Sequence, residues 1–278
     1  MKVHLAFKVA LCLIVAGPLL STKTAAAQMP SGVNPPPKYI YLSNIAIKPN
    51  MSGSFIADES SEVQAQRAAK APINYFGMLS ITGSPHALFF AGFNSFADMQ
   101  KQHDQAMSDT KLQGTLKSTD ADEAAALSQT YGSIYKYRDD LSLNSAIDIS
   151  QMRFFDITLF HVRYGHYEDW EHLVKLYAKA YSSIANAHWA MFEKLYGEDS
   201  DRTFILVTPI KALAEEDQAM IDGDSLPKTV GADQMQLMRE LGSQTVESSE
   251  SDLFAIVPQI SYVPDAWLTD SPDFWGKK

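Results

Sequence analysis

The sequence predicts an α+β protein made of two tandem ferredoxin-like βαββαβ units, whose antiparallel sheets pack as an intramolecular α/β barrel. Two observations lead to this prediction. Strand-like and helix-like stretches follow in the same order in both halves of the chain, at a spacing of about 115 residues that places Val162 opposite Ile47 and Gly197 opposite Gly83. A unit of this kind carries helices on one face of its sheet, so the second unit can cover the free face. Two independent domains of different fold are the alternative.

The first half reads as one complete unit. Its opening stretch, YIYLSNIAI, has β-branched and aromatic residues in alternation, which is typical of a strand. Ser95 directly precedes a helical pattern and is its predicted N-cap. The predicted elements are a strand at 38–47, a helix within 53–71, strands at 73–83 and 86–93, helices at 95–107 and 120–132, and a strand at 133–144.

The second half repeats this order. Its first helix carries an apolar stripe at spacings of three and four residues, which indicates a helix that packs on a sheet. The stripe comprises Tyr167, Trp170, Val174, Tyr177 and Tyr181. The predicted elements are a strand at 152–162, a helix at 167–184, strands at 188–197 and 202–210, helices at 211–221 and 232–250, and a strand at 252–263.

The N-terminus predicts export to the periplasm or the outside of the cell. A charged start, a short apolar run and a small-residue A-x-A site form a secretory signal, and a retained anchor is the alternative. Cys12, the chain's one cysteine, lies in this segment. The predicted organisation is a signal peptide at 1–27, a Pro-rich linker at 28–38, a first unit at 39–145, a second unit at 150–263 and a C-terminal tail at 264–278.

The charge balance excludes two classes of partner. The full chain has a net charge of −10, and loss of the signal removes three lysines and no acid, which leaves −13. Nucleic acids and anionic membranes both attract a basic face, so neither is an expected partner of the mature chain. We expect a small apolar ligand as partner, with the chain a monomeric pseudo-dimer or a homo-oligomer of it.

One stretch resembles a known superfamily. In residues 154–181 an apolar strand is followed by Arg163, Gly165 and His166, and then by an amphipathic helix with Trp170 near its start. This pattern resembles the dimeric α/β-barrel superfamily, which includes antibiotic-biosynthesis-type monooxygenases, haem-degrading monooxygenases and NIPSNAP-like domains. Residues 203–218 are similar to a third strand and the helix after it in such domains, and the first half has Asn50 where the turn glycine would be.

The resemblance implies that one sheet face lines the barrel interior, where ligands lie. If Phe155, Ile157 and Leu159 pack under the helices, the alternate row faces inward. That row holds Asp156, Thr158 and Phe160, with Tyr41, Ser43 and Ile45 as first-half counterparts. We therefore predict catalytic roles for Asp156, Thr158 and His161, and ligand contacts for Tyr41, Ser43 and Phe160. A buried Asp156 would have a raised pKa and could act as a general base. The alternative is that the Asp156 carboxylate is solvated or paired and has no catalytic role.

No cofactor and no metal are predicted. Haem-degrading relatives carry an asparagine seven residues before the turn glycine, where this chain has Thr158, and Ser43 in the first half. His161, His166 and His172 lack the spacing of a zinc site. Hydrolase motifs and phosphate-binding loops are absent from the sequence, and the acidic stretches 120–127 and 247–253 are interpreted as solvated helix ends.

Three functions stay open at this point. The first is an exported, non-catalytic binding protein for a small, largely apolar molecule. The alternative is a cofactor-independent monooxygenase-like enzyme that acts on a quinol or phenolic substrate through Asp156 and Thr158, with His161 or Tyr41. The third is haem binding through His161 or His166. The sequence leaves open whether any reaction is catalysed.

Overall fold

The computed structural model describes residue 29 and residues 32–110, 112–114, 126–198 and 201–276. The predicted signal peptide lies outside these residues, as do residues 120–125 of the helix predicted at 120–132. Within the described part of the chain, no helix is long and apolar enough to cross a membrane.

The helices and strands of the described residues follow the order that the sequence predicts. The first set is β1 (Tyr39–Ile47), α1 (Ser52–Ala69), β2 (Phe76–Ser80), β3 (His86–Phe93), α2 (Phe96–Ser108) and β4 (Leu127–Tyr137). The second set is β5 (Phe154–Val162), α3 (Tyr167–Tyr181), β6 (Ala190–Tyr196), β7 (Thr203–Ile210), α4 (Ala214–Val230), α5 (Ala232–Thr245) and β8 (Val246–Ile256). Two short helices follow, α6 (Asp265–Asp270) and α7 (Pro272–Trp275).

The fold class is α+β, as predicted. The eight strands form a closed barrel in the order β1-β3-β2-β8-β5-β7-β6-β4. The chain divides into two compact units, one of residues 37–132 with the residues from Val257 onward, and one of residues 32–36 and 133–256. β4 therefore contributes residues to both units. The segment predicted as a C-terminal tail forms α6 and α7 in the first unit.

In the first unit, β3 pairs with β1 and with β2, both antiparallel. One face of this sheet packs on the helices, because the ring of Phe55 in α1 lies 6.3 Å from that of Phe89 in β3. On the other face Phe76 and Phe90 stack at 5.4 Å, and Trp267 of α6 lies 6.3 Å from Phe76. Trp267 is 1% exposed, so this aromatic residue fixes the C-terminal segment to the unit.

In the second unit, β5 is a central strand with antiparallel partners β7 and β8 on either side, and β6 joins β7 to β4. Helices α3, α4 and α5 pack over one face of this sheet. The buried cluster between helices and sheet includes Val162, Trp170, Leu173, Met191, Phe204, Leu226 and Met238. The predicted apolar stripe of α3 thus supplies part of a hydrophobic core.

The two strand-to-helix turns each contain a residue with a positive φ. Gly165 has a φ of 83° after β5, and Asn50 has a φ of 66° at the corresponding position after β1. Asparagine tolerates the left-handed region better than most residues with a side chain. The prediction that Asn50 replaces the turn glycine is therefore confirmed.

The start of the last strand in each half was predicted wrongly. β4 begins at Leu127, where the sequence pattern indicated a helix to residue 132, and β8 begins at Val246, where it indicated a helix to residue 250. The acidic stretch 247–253 lies in β8 and is not a helix end. These polar residues are held in strand conformation by pairing with β5, since Ser249 lies opposite Phe160 and Ser251 opposite Thr158.

Helix α2 begins as the sequence predicts, and its cap supports a first test. The hydroxyl of Ser95 accepts a hydrogen bond from the backbone N–H of Asp98 at 3.0 Å. Replacement of Ser95 by alanine is expected to lower the free energy of unfolding by about 1 kcal/mol, because that N–H loses its acceptor. Urea unfolding checks this, and Ser95→Gly should cost only about 0.3 kcal/mol. Equal losses in the two variants would argue against a capping role.

Candidate functional site

The second unit contains a cavity of about 930 Å³ between its sheet and its helices. Small-molecule sites in proteins have volumes of about 300–1,000 Å³ and mostly apolar walls with a few polar groups. This cavity has both properties. Its aromatic wall consists of Phe160, Trp170, Tyr177, Tyr181 and Trp189, and carboxylates lie at Asp156 and along the first half of α4.

The side chains of β5 alternate as predicted, but the rows face the opposite way. Phe160 lies 4.8 Å from the ring of Trp170 in α3, so the row of Asp156 and Phe160 faces the helices of its own unit. Phe155 and Ile157, predicted to lie under the helices, are buried on the other face at 1% and 7% exposure. The prediction that Asp156, Thr158 and Phe160 face a barrel interior is therefore wrong.

Two of the four candidate residues on β5 reach the cavity. Asp156 and Phe160 line it. Thr158 lies on the same row but outside the cavity lining, with its hydroxyl 2.7 Å from that of Ser251 on β8. His161 lies on the opposite row, where its Nδ1 is 3.2 Å from the hydroxyl of Thr203. The predicted catalytic set of Asp156, Thr158 and His161 therefore does not converge on one point.

Tyr41 and Ser43 belong to the first unit and line no part of this cavity. Ser43 pairs with Phe89, which contacts α1, so their shared row also faces helices. The Ser43 hydroxyl is fully buried and has no hydrogen-bond partner among the described residues. Burial raises the pKa of the Tyr41 hydroxyl, which lies close over the backbone of Gly132. Both side chains are therefore packing residues of the first unit.

Two half-buried carboxyl groups define the polar part of the cavity. Burial raises the pKa of Asp156. The pKa of Glu216 is raised by burial and by its proximity to Asp156 and Glu215. Asp156 therefore has the perturbed pKa that its position in the sequence predicted, and a carboxyl with a raised pKa keeps its proton to a higher pH than an ordinary one.

The segment before β6 forms another wall of the cavity. Trp189 is held by a hydrogen bond from its indole N–H to the carbonyl of Leu141, at 3.0 Å. The two ring nitrogens of His188 lie 2.7 Å from the carbonyl oxygens of Asn186 and Pro209. These contacts fix the segment against β7, so Trp189 is a rigid part of the wall.

Sequence reasoning missed Trp189 and Glu216. Trp189 lay at the edge of a predicted strand, and Glu216 lay in a helix whose acidic start matches that of many surface helices. Tyr177 and Tyr181 were assigned to the packing stripe of α3, and they also line the cavity. A stripe with more aromatic rings than its sheet can cover is the one sequence signal that could have indicated a cavity here.

The three histidines of residues 160–173 have separate surroundings. His161 is near Thr203, His166 lies 3.2 Å from Asp169, and His172 is exposed. Among the residues that the structure describes, no three His, Cys, Asp or Glu side chains form a group that could hold a metal ion.

Helix α3 is anchored by an ionic network around Arg138. The guanidinium donates to both carboxylate oxygens of Asp140 at 2.8 and 2.9 Å, to Glu193 at 3.1 Å, to the hydroxyl of Tyr167 at 2.7 Å and to Glu171. The Tyr167 hydroxyl donates in turn to Glu193 at 2.9 Å. Since Tyr167 and Glu171 are on α3, the network fixes the helix that supplies most of the aromatic wall.

The raised pKa values predict how stability depends on pH. A carboxyl whose folded-state pKa lies above its unfolded-state pKa lowers the free energy of unfolding as pH rises through that interval. Asp156→Asn is therefore expected to be more stable than the parent chain at about pH 8 and equal to it at about pH 3. Chemical unfolding at both pH values checks this. Asp224→Asn, an exposed change on α4, should give no such pH-dependent gain. A gain in stability of Asp156→Asn that is equal at both pH values would contradict the raised pKa of Asp156.

No protein-family model and no curated protein matches the chain. Among solved structures, it is similar to an anthrone oxidase-like protein, with 12% identity, a TM-score of 0.49 and coverage of 79% of this chain and 92% of that one. It is also similar to a "putative monooxygenase" from Fusobacterium nucleatum subsp. nucleatum, with 7% identity, a TM-score of 0.49 and coverage of 82% and 94%. A mutant chlorite dismutase from Candidatus Nitrospira defluvii in complex with cyanide shows 8% identity, a TM-score of 0.45 and coverage of 80% and 91%.

These likenesses concern the fold alone, and at such identities and TM-scores they carry no argument about a ligand or a reaction. The closed barrel of eight strands agrees with the fold that the resemblance to the dimeric α/β-barrel superfamily implied.

Proposed function

We propose that the protein binds a small, largely apolar molecule in the cavity of its second unit, after export from the cytoplasm. The observation that carries the proposal is the cavity itself, with about 930 Å³ of space against five aromatic side chains. A ligand in this space would make van der Waals contacts with the apolar walls and remove their surface from water. Binding would therefore stabilise the folded chain.

A single substitution in the cavity wall should fill part of the cavity. Leu206 is half-buried at the middle of β7 and lines the space, and a tryptophan there would occupy part of it. Leu237 on α5 is 41% exposed and lies outside the lining, so the same substitution there is a matched control. If the proposal holds, Leu206→Trp loses at least about 100-fold in affinity for a bound aromatic probe, and Leu237→Trp binds as the parent does.

Isothermal titration calorimetry with naphthalen-2-ylmethanol and naphthalen-2-ylmethylamine provides the readout. A third arm extracts small molecules from the purified protein and identifies them by mass spectrometry. Binding that Leu206→Trp leaves unchanged would place the ligand outside the cavity and overturn the proposal. No binding of either probe, together with no co-purifying molecule, would overturn it as well.

Export is proposed from the N-terminal sequence. It is supported by the charged start, short apolar run and A-x-A site of residues 1–27, and by the acidic balance of the remainder. Expression of the full chain in a bacterial host should yield periplasmic protein that begins at Gln28. Mass spectrometry of fractionated cells tests this, and a chain that keeps Met1 in the cytoplasmic fraction would contradict it.

A cofactor-independent oxygenase is the second candidate, and one observation favours it. Asp156 lines the cavity and its pKa is raised by burial, so its carboxylate could accept the hydroxyl proton of a quinol or phenol. The resulting anion would then be the species that dioxygen oxidises. Thr158 and His161 do not line the cavity, so Asp156 would act without them.

Oxygen consumption separates the two candidates. A quinol added to the protein should be oxidised faster than in buffer if the second candidate is right, and Asp156→Asn should abolish the excess rate while quinol binding persists. Thr158→Ala should retain the rate, because its hydroxyl lies outside the cavity lining. If the excess rate survives in Asp156→Asn, Asp156 is not the base. If the parent chain oxidises the quinol no faster than buffer does, the second candidate is excluded and binding remains the proposed function.

A further inference from the structure

We propose that the cavity selects a small amphipathic cation, with an aromatic or polycyclic body and one protonated amine. The inference rests on the proposed function and narrows its ligand class from largely apolar to cationic. It is carried by the unequal distribution of charge and of hydrogen-bond partners in the cavity wall.

The charged groups of the wall are mostly acidic. Four carboxylates line the cavity, namely Asp156 from β5 and Glu215, Glu216 and Asp222 from α4. The basic side chains in the same lining are Lys211, which is exposed at the approach to α4, and His188, whose ring nitrogens face two backbone carbonyls. An apolar space with this balance attracts a positive charge and repels a negative one.

Two of these carboxylates already have partners within the protein. Glu215 accepts hydrogen bonds from the backbone N–H groups of Lys211 at 3.0 Å and Ala212 at 3.2 Å, in the turn that precedes α4. Asp222 accepts from the side-chain amide of Gln218 at 2.9 Å. Both contacts are local to α4 and the turn before it, so these residues contribute negative potential, and one oxygen of each is already bonded within the protein.

The side-chain carboxylates of Asp156 and Glu216 have no hydrogen bond and no ion pair among the described residues, although both side chains are half-buried in the cavity wall. Burial without a counter-charge raises the pKa of each, and Asp156 contributes to the raised pKa of Glu216. Half-buried carboxylates without a partner are unfavourable in a folded protein. A ligand ammonium group would supply the missing donor and the missing charge to both.

The aromatic wall suits the rest of such a ligand. Trp170, Tyr177, Tyr181 and Trp189 line the same space, and the ring of Tyr181 meets that of Trp189 edge-on at 5.8 Å. Tryptophan and tyrosine rings attract cations through their faces and stack on flat apolar bodies. The cavity of about 930 Å³ also exceeds what an ammonium group alone can fill, so a sizeable body is needed for close packing.

Affinity for the cation should rise with pH. The titratable and charged groups that face the site are Asp156, Glu215, Glu216 and Asp222, with His188, Lys211, Tyr177 and Tyr181. As pH rises, the carboxyls of Asp156 and Glu216, whose pKa values are raised by burial, lose their protons. This change favours a bound ammonium, while a neutral ligand of the same shape should show little pH dependence.

Three probes of matched size test the inference by calorimetry at about pH 7.5. They are naphthalen-2-ylmethylamine, naphthalen-2-ylmethanol and naphthalene-2-carboxylate. We expect the amine to bind at least about 10-fold more tightly than the alcohol, and the carboxylate to bind most weakly. Asp156→Asn and Glu216→Gln should each reduce the preference for the amine over the alcohol about 10-fold. Asp224→Asn removes one exposed charge from α4 outside the lining and should keep the full preference.

The outcomes separate this inference from the proposed function. If the alcohol or the carboxylate binds as tightly as the amine, the cavity is a binding site but does not select cations, and the inference fails alone. If the amine is preferred equally in Asp156→Asn, Glu216→Gln and Asp224→Asn, the two carboxylates are not its partners and the inference is overturned. If no probe binds the parent chain, the inference is overturned, and the proposed function fails with it when no small molecule co-purifies either.

Discussion

Replacement of Arg138 by alanine is expected to lower the free energy of unfolding by about 3 kcal/mol. The side chain is only 12% exposed and donates to Asp140, Glu171, Glu193 and the hydroxyl of Tyr167. Without it, Glu171 and Glu193 remain partly buried with no cation between them, and an uncompensated charge costs more than the lost pair contributes. The loss should also reach the cavity, because Tyr167 and Glu171 position α3.

Equilibrium unfolding in urea measures this loss, and two further variants control it. Arg138→Lys keeps the charge but not the planar fork of donors, so it should recover only part of the stability. Lys175→Ala, whose partners Asp140 and Glu171 lie at 3.6 and 3.7 Å, is 49% exposed and should cost less than about 1 kcal/mol. A loss in Arg138→Ala no larger than that in Lys175→Ala would show that the network does not hold α3.

The Arg138 network also predicts an acid dependence. Its hydrogen bonds hold the pKa of Asp140 below the ordinary value. A carboxyl with a lowered folded-state pKa stabilises the chain above its unfolded-state pKa, and this contribution is lost as pH falls through the folded-state value. The difference in the free energy of unfolding between the parent chain and Arg138→Ala should therefore become smaller as pH falls.

Phe204→Ala is the second change for which a large effect is expected, a loss of about 4 kcal/mol. The ring is fully buried in β7 and lies 5.6 Å from Tyr167 and 5.7 Å from Trp170. Its removal loses apolar contact and leaves an additional void beside an existing cavity, which the surrounding helices can close only in part.

Thermal and urea unfolding measure the effect. Phe204→Leu keeps most of the volume and should cost about 1 kcal/mol. Tyr196→Ala removes an aromatic ring that is 59% exposed on β6 and should change stability by less than about 0.5 kcal/mol. A loss below about 1 kcal/mol in Phe204→Ala would contradict the packing described between β7 and α3.

The order of strands and helices could be predicted because periodicity and caps are local signals. The alternation of β1, the stripe of α3 and the Ser95 cap all depend on residues within one or two turns of each other. The beginnings of β4 and β8 could not be predicted in this way. Residues such as Ser249 and Ser251 favour no strand by themselves, and only their pairing with β5 holds them extended.

The candidate site was predictable only in part for a similar reason. Alternation on β5 separates two rows, but both contain large apolar residues, as Phe155 and Phe160 illustrate, so the pattern does not decide which row the helices cover. Asp156 could be selected because a carboxyl stands out in such a strand. Trp189 and Glu216 reach the same cavity through the packing of α4 and the segment before β6, which are contacts over long sequence separations.

The location of a bound ligand tests the central claim most directly. A crystal structure of the mature chain saturated with naphthalen-2-ylmethylamine should show the naphthyl ring against Trp170 and Trp189, with the amine within hydrogen-bond distance of Asp156 or Glu216. A ligand found elsewhere on the chain, or an empty cavity at saturating probe, would contradict the assignment of this cavity as the binding site.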